Sequence, residues 1–208
     1  MPQKIDIERF LLLAESTAVI DVRSPAEFRN GHIPGAINIP LFNDEERAIV
    51  GTLYKQKGSK EALIRGLEIT AFKMKDLAIT AKKAVRKNKL LVYCWRGGMR
   101  SAAMAWWFEQ HDIQCEILDG GYKSFRRYVL KSFDLPYNLR IVGGYTGSGK
   151  TEILKCIKEK GEQVLDLEGL AHHKGSAFGN LGELPQPKTE HFENLLYHEL
   201  SVMDTEKV

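Results

Sequence analysis

The fold of this chain is decided by residues 89–101, which read KLLVYCWRGGMRS. The apolar run 89–94 predicts a buried strand that ends at Cys94. The glycine-containing stretch 95–99 predicts a loop, and the apolar pattern of 100–109 predicts a helix behind it. A strand, a loop and a helix in this order predict one unit of an α/β fold.

Further strands and helices flank this unit along the chain. Helical spacing of apolar residues predicts two helices between residues 43 and 87, with a break near Gly58, and another helix over 122–130. Strands that alternate with helices predict a parallel sheet with helices on both faces. Short apolar runs place the other strands of this sheet at 17–22, 36–39 and 115–118.

The composition excludes several classes of protein. Of the 208 residues, 43% are hydrophobic and 27% are charged, as in a globular domain and unlike a disordered or collagen-like chain. No apolar run approaches the roughly 18 residues that span a bilayer, and no secretory segment opens the chain. We therefore expect a cytoplasmic protein that does not act at a membrane. Three cysteines are too few for a disulfide framework.

Cys94 is the strongest candidate for chemistry. In the predicted geometry, backbone N–H groups of the loop turn toward its sulfur above a helix N-terminus, and such a nest favours the thiolate. The same nest can hold an anion beside the sulfur. A buried structural cysteine is the usual alternative, but it leaves the surrounding glycines and arginines unexplained. Cys115 and Cys156 lack such surroundings, and we assign both to packing.

The residues around Cys94 have separate predicted roles. Arg96 and Arg100 would add positive charge to the nest, and we group them with Cys94 as the catalytic residues. Gly97 and Gly98 would supply the left-handed backbone that the nest needs. The predicted anion loop consists of Trp95, Gly97, Gly98 and Met99.

A second anion-binding motif lies at residues 144–151, which read GYTGSGKT and match the phosphate-loop pattern G-x-x-x-x-G-K-[ST]. Backbone N–H groups would hold a diphosphate, Lys150 would reach the terminal phosphates, and Thr151 could hold Mg²⁺. The predicted phosphate-binding residues are Gly144, Gly147, Ser148, Gly149, Lys150 and Thr151.

Two carboxylates are candidates to complete a magnesium site. Asp166 and Glu168 lie at the end of the strand predicted over 163–167. An exposed turn or a helix cap explains these two residues equally well. We predict no other metal site.

The phosphate loop indicates a second domain. Apolar runs predict strands over 139–143 and 163–167, with a helix over 150–160 between them. We therefore divide the chain into a first domain over 1–135 and a partial phosphate-loop domain over 139–208. Because 70 residues are too few for a complete phosphate-loop domain, we expect the chain to be shortened at its C-terminus.

Three motifs resemble those of the rhodanese family. Residues 20–28 (IDVRSPAEF) and 31–40 (GHIPGAINIP) look like the opening of a rhodanese domain, and residues 118–122 (LDGGY) look like its closing Gly-Gly turn. The resemblance implies a rhodanese-like fold in which Cys94 carries sulfur or selenium as a persulfide or perselenide.

The length of the Cys94 loop leaves an alternative open. Cys94 and Arg100 are separated by five residues, which makes the loop one residue longer than in thiosulfate-using rhodaneses. Rhodanese-fold phosphatases and arsenate reductases share this spacing. A phosphatase or arsenate reductase, or a plain sulfurtransferase, is therefore the alternative to selenium transfer.

A wider set of motifs resembles the tRNA 2-selenouridine synthase family, in which a rhodanese domain is joined to a phosphate-loop domain. Besides the two loops, the set comprises ERAIVGTLYKQ (46–56), DLEGLA (166–171) and GSAFG (175–179). The resemblance implies that selenium from selenophosphate replaces the sulfur of wobble-position 2-thiouridine in tRNA. It also implies a geranylated thiouridine intermediate, geranyl diphosphate as the ligand of the phosphate loop, and a Cys94 perselenide. The implied partners are the 2-thiouridine tRNA and a supplier of selenophosphate, and Trp95 is the candidate to contact a base or the prenyl chain.

Overall fold

A computed structural model describes residues 2–85, 88–145, 147–175, 179–180 and 182–204. The chain divides into two compact units, Met1–Tyr128 and Val129–Val208. None of the helices in these described ranges combines the length and the apolar character needed to cross a membrane.

The first unit is built on a parallel sheet of five strands, β1 (Gln3–Ile5), β2 (Ala18–Asp21), β3 (Ile37–Asn38), β4 (Lys89–Tyr93) and β5 (Gln114–Leu118). Their order in the sheet is β1-β5-β4-β2-β3. The central strand β4 pairs with β2 on one side and β5 on the other, so that Val92 lies opposite both Ile20 and Ile117. The three-residue strand β1 was not expected from the sequence.

Among the described residues, seven helices accompany this sheet. The segment between residues 43 and 87 forms three helices, whereas the sequence predicted two. The predicted break at Gly58 is present, with a positive φ of 90°, and a second break occurs in the turn at 71–73. The helices are α1 (Ile7–Ala14), α2 (Pro25–Asn30), α3 (Asp44–Lys57), α4 (Ser59–Thr70), α5 (Met74–Ala84), α6 (Met99–Glu109) and α7 (Gly121–Ser132).

Both faces of the sheet are covered, as the alternation of side chains along a strand requires. On one face, Leu90 and Val92 of β4 pack in a cluster with Phe108 of α6. On the other face, Tyr93 meets Phe10 of α1 edge to face, at a ring-centroid distance of 6.5 Å. The predicted parallel sheet with helices on both faces is confirmed.

A buried ion pair fixes the end of β2 next to this core. Arg23 and Asp21 are both fully buried, and the Arg23 guanidinium donates to both carboxylate oxygens of Asp21 and to the carbonyl of Gly31. The guanidinium carbon also lies 3.8 Å from the ring centroid of Tyr122 on α7. Burial alone would lower the pKa of Arg23, but the hydrogen bond and charge of Asp21 outweigh it and raise this pKa.

The second unit contains helices α8 (Lys150–Glu159), α9 (Leu167–Ala171) and α10 (Thr189–Ser201). In the described part of this unit, the strands predicted over 139–143 and 163–167 are not formed. Ile141 is 93% exposed, and no described strand pairs with its segment. An apolar run becomes a strand only when neighbouring strands satisfy its backbone groups. The sequence did not predict α10.

Candidate active site

Cys94 lies directly after β4, in the loop that leads into α6. It is only 2% exposed, and its sulfur lies 3.2 Å from the hydroxyl oxygen of Ser101 in the first turn of α6. That hydroxyl also donates to the carbonyl of Gly98 at 3.1 Å. Ser101 can accept from the Cys94 thiol or turn its proton to the thiolate, so it can serve both forms of the sulfur. We had not predicted a role for Ser101.

Helix α7 holds the Cys94 loop in place. The backbone N–H of Tyr122 donates to the carbonyl of Cys94 at 2.8 Å, and that of Lys123 donates to the carbonyl of Trp95 at 3.0 Å. These are N–H groups of the first turn of α7, which have no partner within their own helix. The start of α7 therefore determines where the loop backbone lies.

Two glycines permit this close approach. Gly97 has a φ of 62°, and a Cβ there would come within 2.5 Å of the carbonyl of Leu118. Gly121 has a φ of 58°, and a Cβ there would press on the backbone of Cys94 and Gly97. Gly98 differs from its prediction, because its φ of −99° lies outside the left-handed region. Of the two loop glycines, Gly97 is thus the one whose left-handed backbone requires glycine.

The side chains of the predicted anion loop differ in how far they are exposed. Trp95 is 37% exposed and its ring centroid lies 5.7 Å from that of Tyr122, whereas Met99 is 58% exposed. Arg96 is exposed beside them. The loop thus presents an indole, a thioether and a guanidinium to solvent around a buried sulfur.

Arg100 is engaged with Glu27 of α2, which we had not predicted. Its Nη1 donates to Glu27 Oε2 at 2.6 Å, and its Nη2 donates to Oε1 at 3.2 Å. Arg47 of α3 approaches the same carboxylate, with its Nε 3.4 Å from Oε2. Burial alone would raise the pKa of Glu27, but the hydrogen bond and charge of Arg100 outweigh it and lower this pKa. The positive charge expected from Arg100 is therefore balanced by a carboxylate.

The phosphate loop is held by contacts within itself. The Lys150 ammonium donates to the carbonyls of Gly144 and Tyr145 at 3.0 and 3.1 Å. Gly147 and Gly149 have φ values of 80° and 79°, and α8 starts immediately after Gly149. Ser148 and Thr151 are exposed in this loop, and Thr146 lies outside the described residues.

The two candidate magnesium carboxylates lie near α9. Asp166 is the N-cap of α9, where its Oδ1 accepts from the N–H of Gly169 at 3.0 Å, and Glu168 lies in the first turn. No hydrogen bond or ion pair within the described ranges joins either carboxylate to Lys150 or Thr151. No group of three His, Cys, Asp or Glu side chains in those ranges is arranged to hold a metal ion. The role of Asp166 and Glu168 in holding Mg²⁺ stays a prediction, since this ion would also take the Thr151 hydroxyl and phosphate oxygens. Residues 176–178 of the predicted GSAFG motif lie outside the described residues.

Comparison with known families explains the first unit. Residues 8–128 match the family described as the rhodanese-like domain. The chain belongs to the rhodanese-like family. Residues 137–207 match a second family, described as the tRNA 2-selenouridine synthase AAA domain. The predicted rhodanese-like fold and the start of a phosphate-loop domain are thereby confirmed.

Relatives of this rhodanese-like chain are similar over nearly its whole length. It is 40% identical over 198 residues to the tRNA 2-selenouridine synthase of Bdellovibrio bacteriovorus, with 93% of this chain and 52% of the relative covered. It is 40% identical over 190 residues to the protein of the same name from Nitrosomonas europaea, with 89% and 49% covered. The chain thus spans about half the length of the curated relatives it matches. The resemblance predicted from the motifs is confirmed.

A solved structure is similar to more than half of this chain. The crystal structure of the N-terminal domain of a Clostridium difficile 630 protein named for ATP/GTP binding is 37% identical, with a TM-score of 0.56. The match covers 62% of this chain and 99% of that domain.

Proposed function

We propose that this chain contains the selenium-transfer site and the first part of the phosphate-loop domain of a tRNA 2-selenouridine synthase. The observation that carries the proposal is the 40% identity to a protein of that name along both parts of the chain. We propose domain boundaries of 1–135 and 139–208. The substrate would be a tRNA that carries 2-thiouridine at its wobble position, and the sulfur would be replaced by selenium in the cytoplasm.

In this proposal, the Cys94 thiolate attacks the selenium of selenophosphate and forms a perselenide. The phosphorus–selenium bond breaks and phosphite leaves with its electron pair, so that the phosphorus is reduced as the sulfur and selenium are oxidised. Support comes from the ordered loop around Cys94 and from Ser101, whose hydroxyl lies 3.2 Å from the sulfur and can donate to an anionic form of it. The exposed guanidinium of Arg96 would attract the anionic donor. The exposed edge of Trp95 would contact the base or the prenyl chain of the intermediate. A separate enzyme would supply the selenophosphate.

The phosphate loop would bind geranyl diphosphate, from which the geranylated thiouridine intermediate is made. Lys150 and the N–H groups at the start of α8 are suited to a diphosphate, because a helix N-terminus and a cation both attract phosphate. The bonds from Lys150 to two loop carbonyls can be exchanged for bonds to phosphate oxygens.

Phosphatase or arsenate reductase chemistry is the weaker candidate. Such chemistry would leave unexplained residues 137–207, which match the tRNA 2-selenouridine synthase AAA domain. A plain sulfurtransferase would leave the phosphate loop without a role.

The test of Cys94 is the mass of the intact protein after incubation with selenophosphate. We expect an increase of one selenium atom that a thiol reductant removes and that Cys94→Ser abolishes. Cys115→Ser and Cys156→Ser are the matched controls and should keep the increase. A selenium adduct that persists in Cys94→Ser would refute the assignment.

The test of the phosphate loop is the binding of geranyl diphosphate by equilibrium dialysis. Lys150→Ala should weaken this binding about tenfold or more, since a charge-assisted hydrogen bond contributes roughly 1.5–3 kcal/mol. Selenium loading on Cys94 should be unchanged. Lys155→Ala, which removes an exposed lysine of the same helix paired with Glu152, is the control. Equal binding by Lys150→Ala and the control would contradict the assignment of this loop.

A further inference from the structure

The carboxylate of Glu27 lies between Arg100, which donates hydrogen bonds to it, and Arg47, which comes near it without a hydrogen bond. Its Oε2 accepts from Arg100 Nη1 at 2.6 Å and from the N–H of Ser24 at 3.1 Å. Arg47 Nε lies 3.4 Å from the same oxygen, is buried, and has no hydrogen-bond partner within the described residues. A buried donor without an acceptor is costly, so Arg47 would gain if Arg100 released the carboxylate.

The position of Arg47 is fixed by neighbouring contacts. Asp44, at the start of α3, accepts from the N–H of Ala26 at 2.7 Å and pairs with Arg29 at 3.1 Å, which ties α3 to α2. Gly51 leaves room for the Arg47 side chain, since a Cβ at residue 51 would lie 2.5 Å from Arg47 Nη1. The helix thus holds a second guanidinium next to the partner of Arg100.

We propose that Glu27 and Arg47 are positioning residues that make the Cys94 loop select doubly charged tetrahedral anions. This inference rests on the proposed function, in which the donor is such an anion. When an anion binds at the loop, Arg100 exchanges its bonds to Glu27 for bonds to the anion. Arg47 Nε then takes over Glu27 Oε2, so that no carboxylate is left unpaired.

The selection for charge follows from competition. Arg100 already has a partner with one negative charge, and a singly charged anion offers it no more than Glu27 does. A dianion attracts the guanidinium more strongly than a carboxylate does, because Coulomb energy scales with charge. Arg47 lowers the cost of the exchange by neutralising Glu27 afterwards. Arg100 lies in the first turn of α6, directly after the loop, where a bound anion would be.

The test compares sulfate with methyl sulfate, which are both tetrahedral and carry two charges and one charge. Each is assayed for protection of Cys94 from iodoacetamide at constant ionic strength, in a Cys156→Ser background that removes the exposed thiol. In the parent protein, we expect the concentration of sulfate that protects Cys94 to be about tenfold lower than that of methyl sulfate. A tenfold difference in affinity is what one charge-assisted hydrogen bond contributes.

Both kinds of variant should lower this preference for sulfate, but through different anions. Glu27→Gln removes the competing carboxylate, so methyl sulfate should protect nearly as well as sulfate, within about twofold. Arg47→Met leaves Glu27 without its second partner. The concentration of sulfate needed for protection should therefore rise about threefold or more. Gly51→Ala should act like Arg47→Met, because it displaces the same guanidinium without changing the charge. Arg65→Met, which breaks an exposed pair with Glu68 at 2.8 Å on α4, is the matched control.

A merely structural role predicts a different result. The Glu27 and Arg47 variants would then lower the melting temperature but leave the ratio of sulfate to methyl sulfate protection at the parent value, and this outcome overturns the proposal. If Glu27→Gln does not fold, Arg47→Met and Gly51→Ala decide in the same assay. Loss of selenium loading with an intact charge preference would refute the proposed function and leave this inference standing.

Discussion

The Cys94 loop and the phosphate loop are both glycine-containing turns that lead into a helix, yet they are held in different ways. The Cys94 loop is fixed by residues far along the chain, namely the first turn of α7 and the carboxylate of Glu27. The contacts of the phosphate loop come from within it, through Lys150 and through the bond from the N–H of Ser148 to the carbonyl of Tyr145. Because contacts with distant residues must break before the Cys94 loop can open, we expect it to open less often than the phosphate loop.

Hydrogen exchange should show the largest difference between the two regions. Amides of Leu90–Tyr93 lie in the central strand of the sheet, whereas those of 139–145 lie in no described strand. Core amides exchange only when the whole unit unfolds, so we expect protection at least about 1,000-fold greater in β4, as a stability of 5 kcal/mol implies. Mass spectrometry of labelled peptides measures both segments. Equal protection of Ile141 and Val92 would mean that residues 139–143 form a strand after all.

Alanine in place of a left-handed glycine should have unequal effects at Gly121, which packs against the Cys94 loop, and at Gly147 of the phosphate loop. Gly121→Ala forces a Cβ against loop backbone, and we expect the free energy of unfolding to fall by about 3–5 kcal/mol from overpacking and the left-handed conformation. Gly147→Ala meets open space and should leave this transition unchanged. Urea unfolding followed by tryptophan fluorescence reports on the first unit, which contains Trp95, Trp106 and Trp107. A stable Gly121→Ala variant would show that α7 does not hold the loop so closely.

The thiols of the two regions should react at different rates. Cys156 on α8 is exposed and Cys94 is buried, yet we expect iodoacetamide to modify Cys94 about tenfold faster at pH 6, since the Ser101 hydroxyl, 3.2 Å from the Cys94 sulfur, can donate to the reacting thiolate. Burial, with a smaller contribution from the charge of Glu109, raises the pKa of Cys115 to about 12, so this thiol should remain unmodified. Peptide mapping assigns the sites. Faster labelling of Cys156 would mean that accessibility, and not the loop, controls reactivity.

The smallest expected effect concerns the ion pairs of the two units. Because Arg100 lowers the pKa of Glu27 below its usual 4.5, the pairing stabilises the fold above about pH 4.5 and is lost as the pH falls through the folded-state pKa. Glu27→Gln should therefore lower the free energy of unfolding by about 1–2 kcal/mol at pH 7, and this deficit should shrink below pH 4.5. The exposed pair of Glu183 with Lys174 serves as the control, and Glu183→Gln should change stability little. A deficit that is independent of pH would point to lost packing instead of lost charge.

Local patterns explain which parts of the fold could be predicted. The strand that ends at Cys94, its loop and α6 follow from adjacent apolar residues and glycines, and the structure places them within a residue of the prediction. Strand β1 has three residues and is defined by its pairing with β5, which no local pattern indicates. The apolar run 139–143 looks like a strand in the sequence, but the described second unit contains no strand to pair with it.

The same distinction applies to the site. Cys94 and the glycines around it were identified because they are neighbours in the sequence. Glu27 and Arg100 are 73 positions apart, and the one local signal at Glu27 is its capping box with Ser24, which predicts a helix start and no partner in the loop. Ser101 lies one helical turn into α6, where a serine also suits packing, so its contact with the sulfur could not be separated from that role.

The bonds from α7 to the carbonyls of Cys94 and Trp95 set the smallest fragment that can keep a shaped reactive thiol. All five strands are complete by Leu118, and a chain ending there would still contain every strand of the sheet. It would lack the backbone amides of Tyr122 and Lys123, which bind the Cys94 loop. It would also lack Gly121, which allows these amides to approach the loop backbone. Anyone who isolates this half for labelling or for transplantation into another protein should therefore end it after Ser132, where α7 ends.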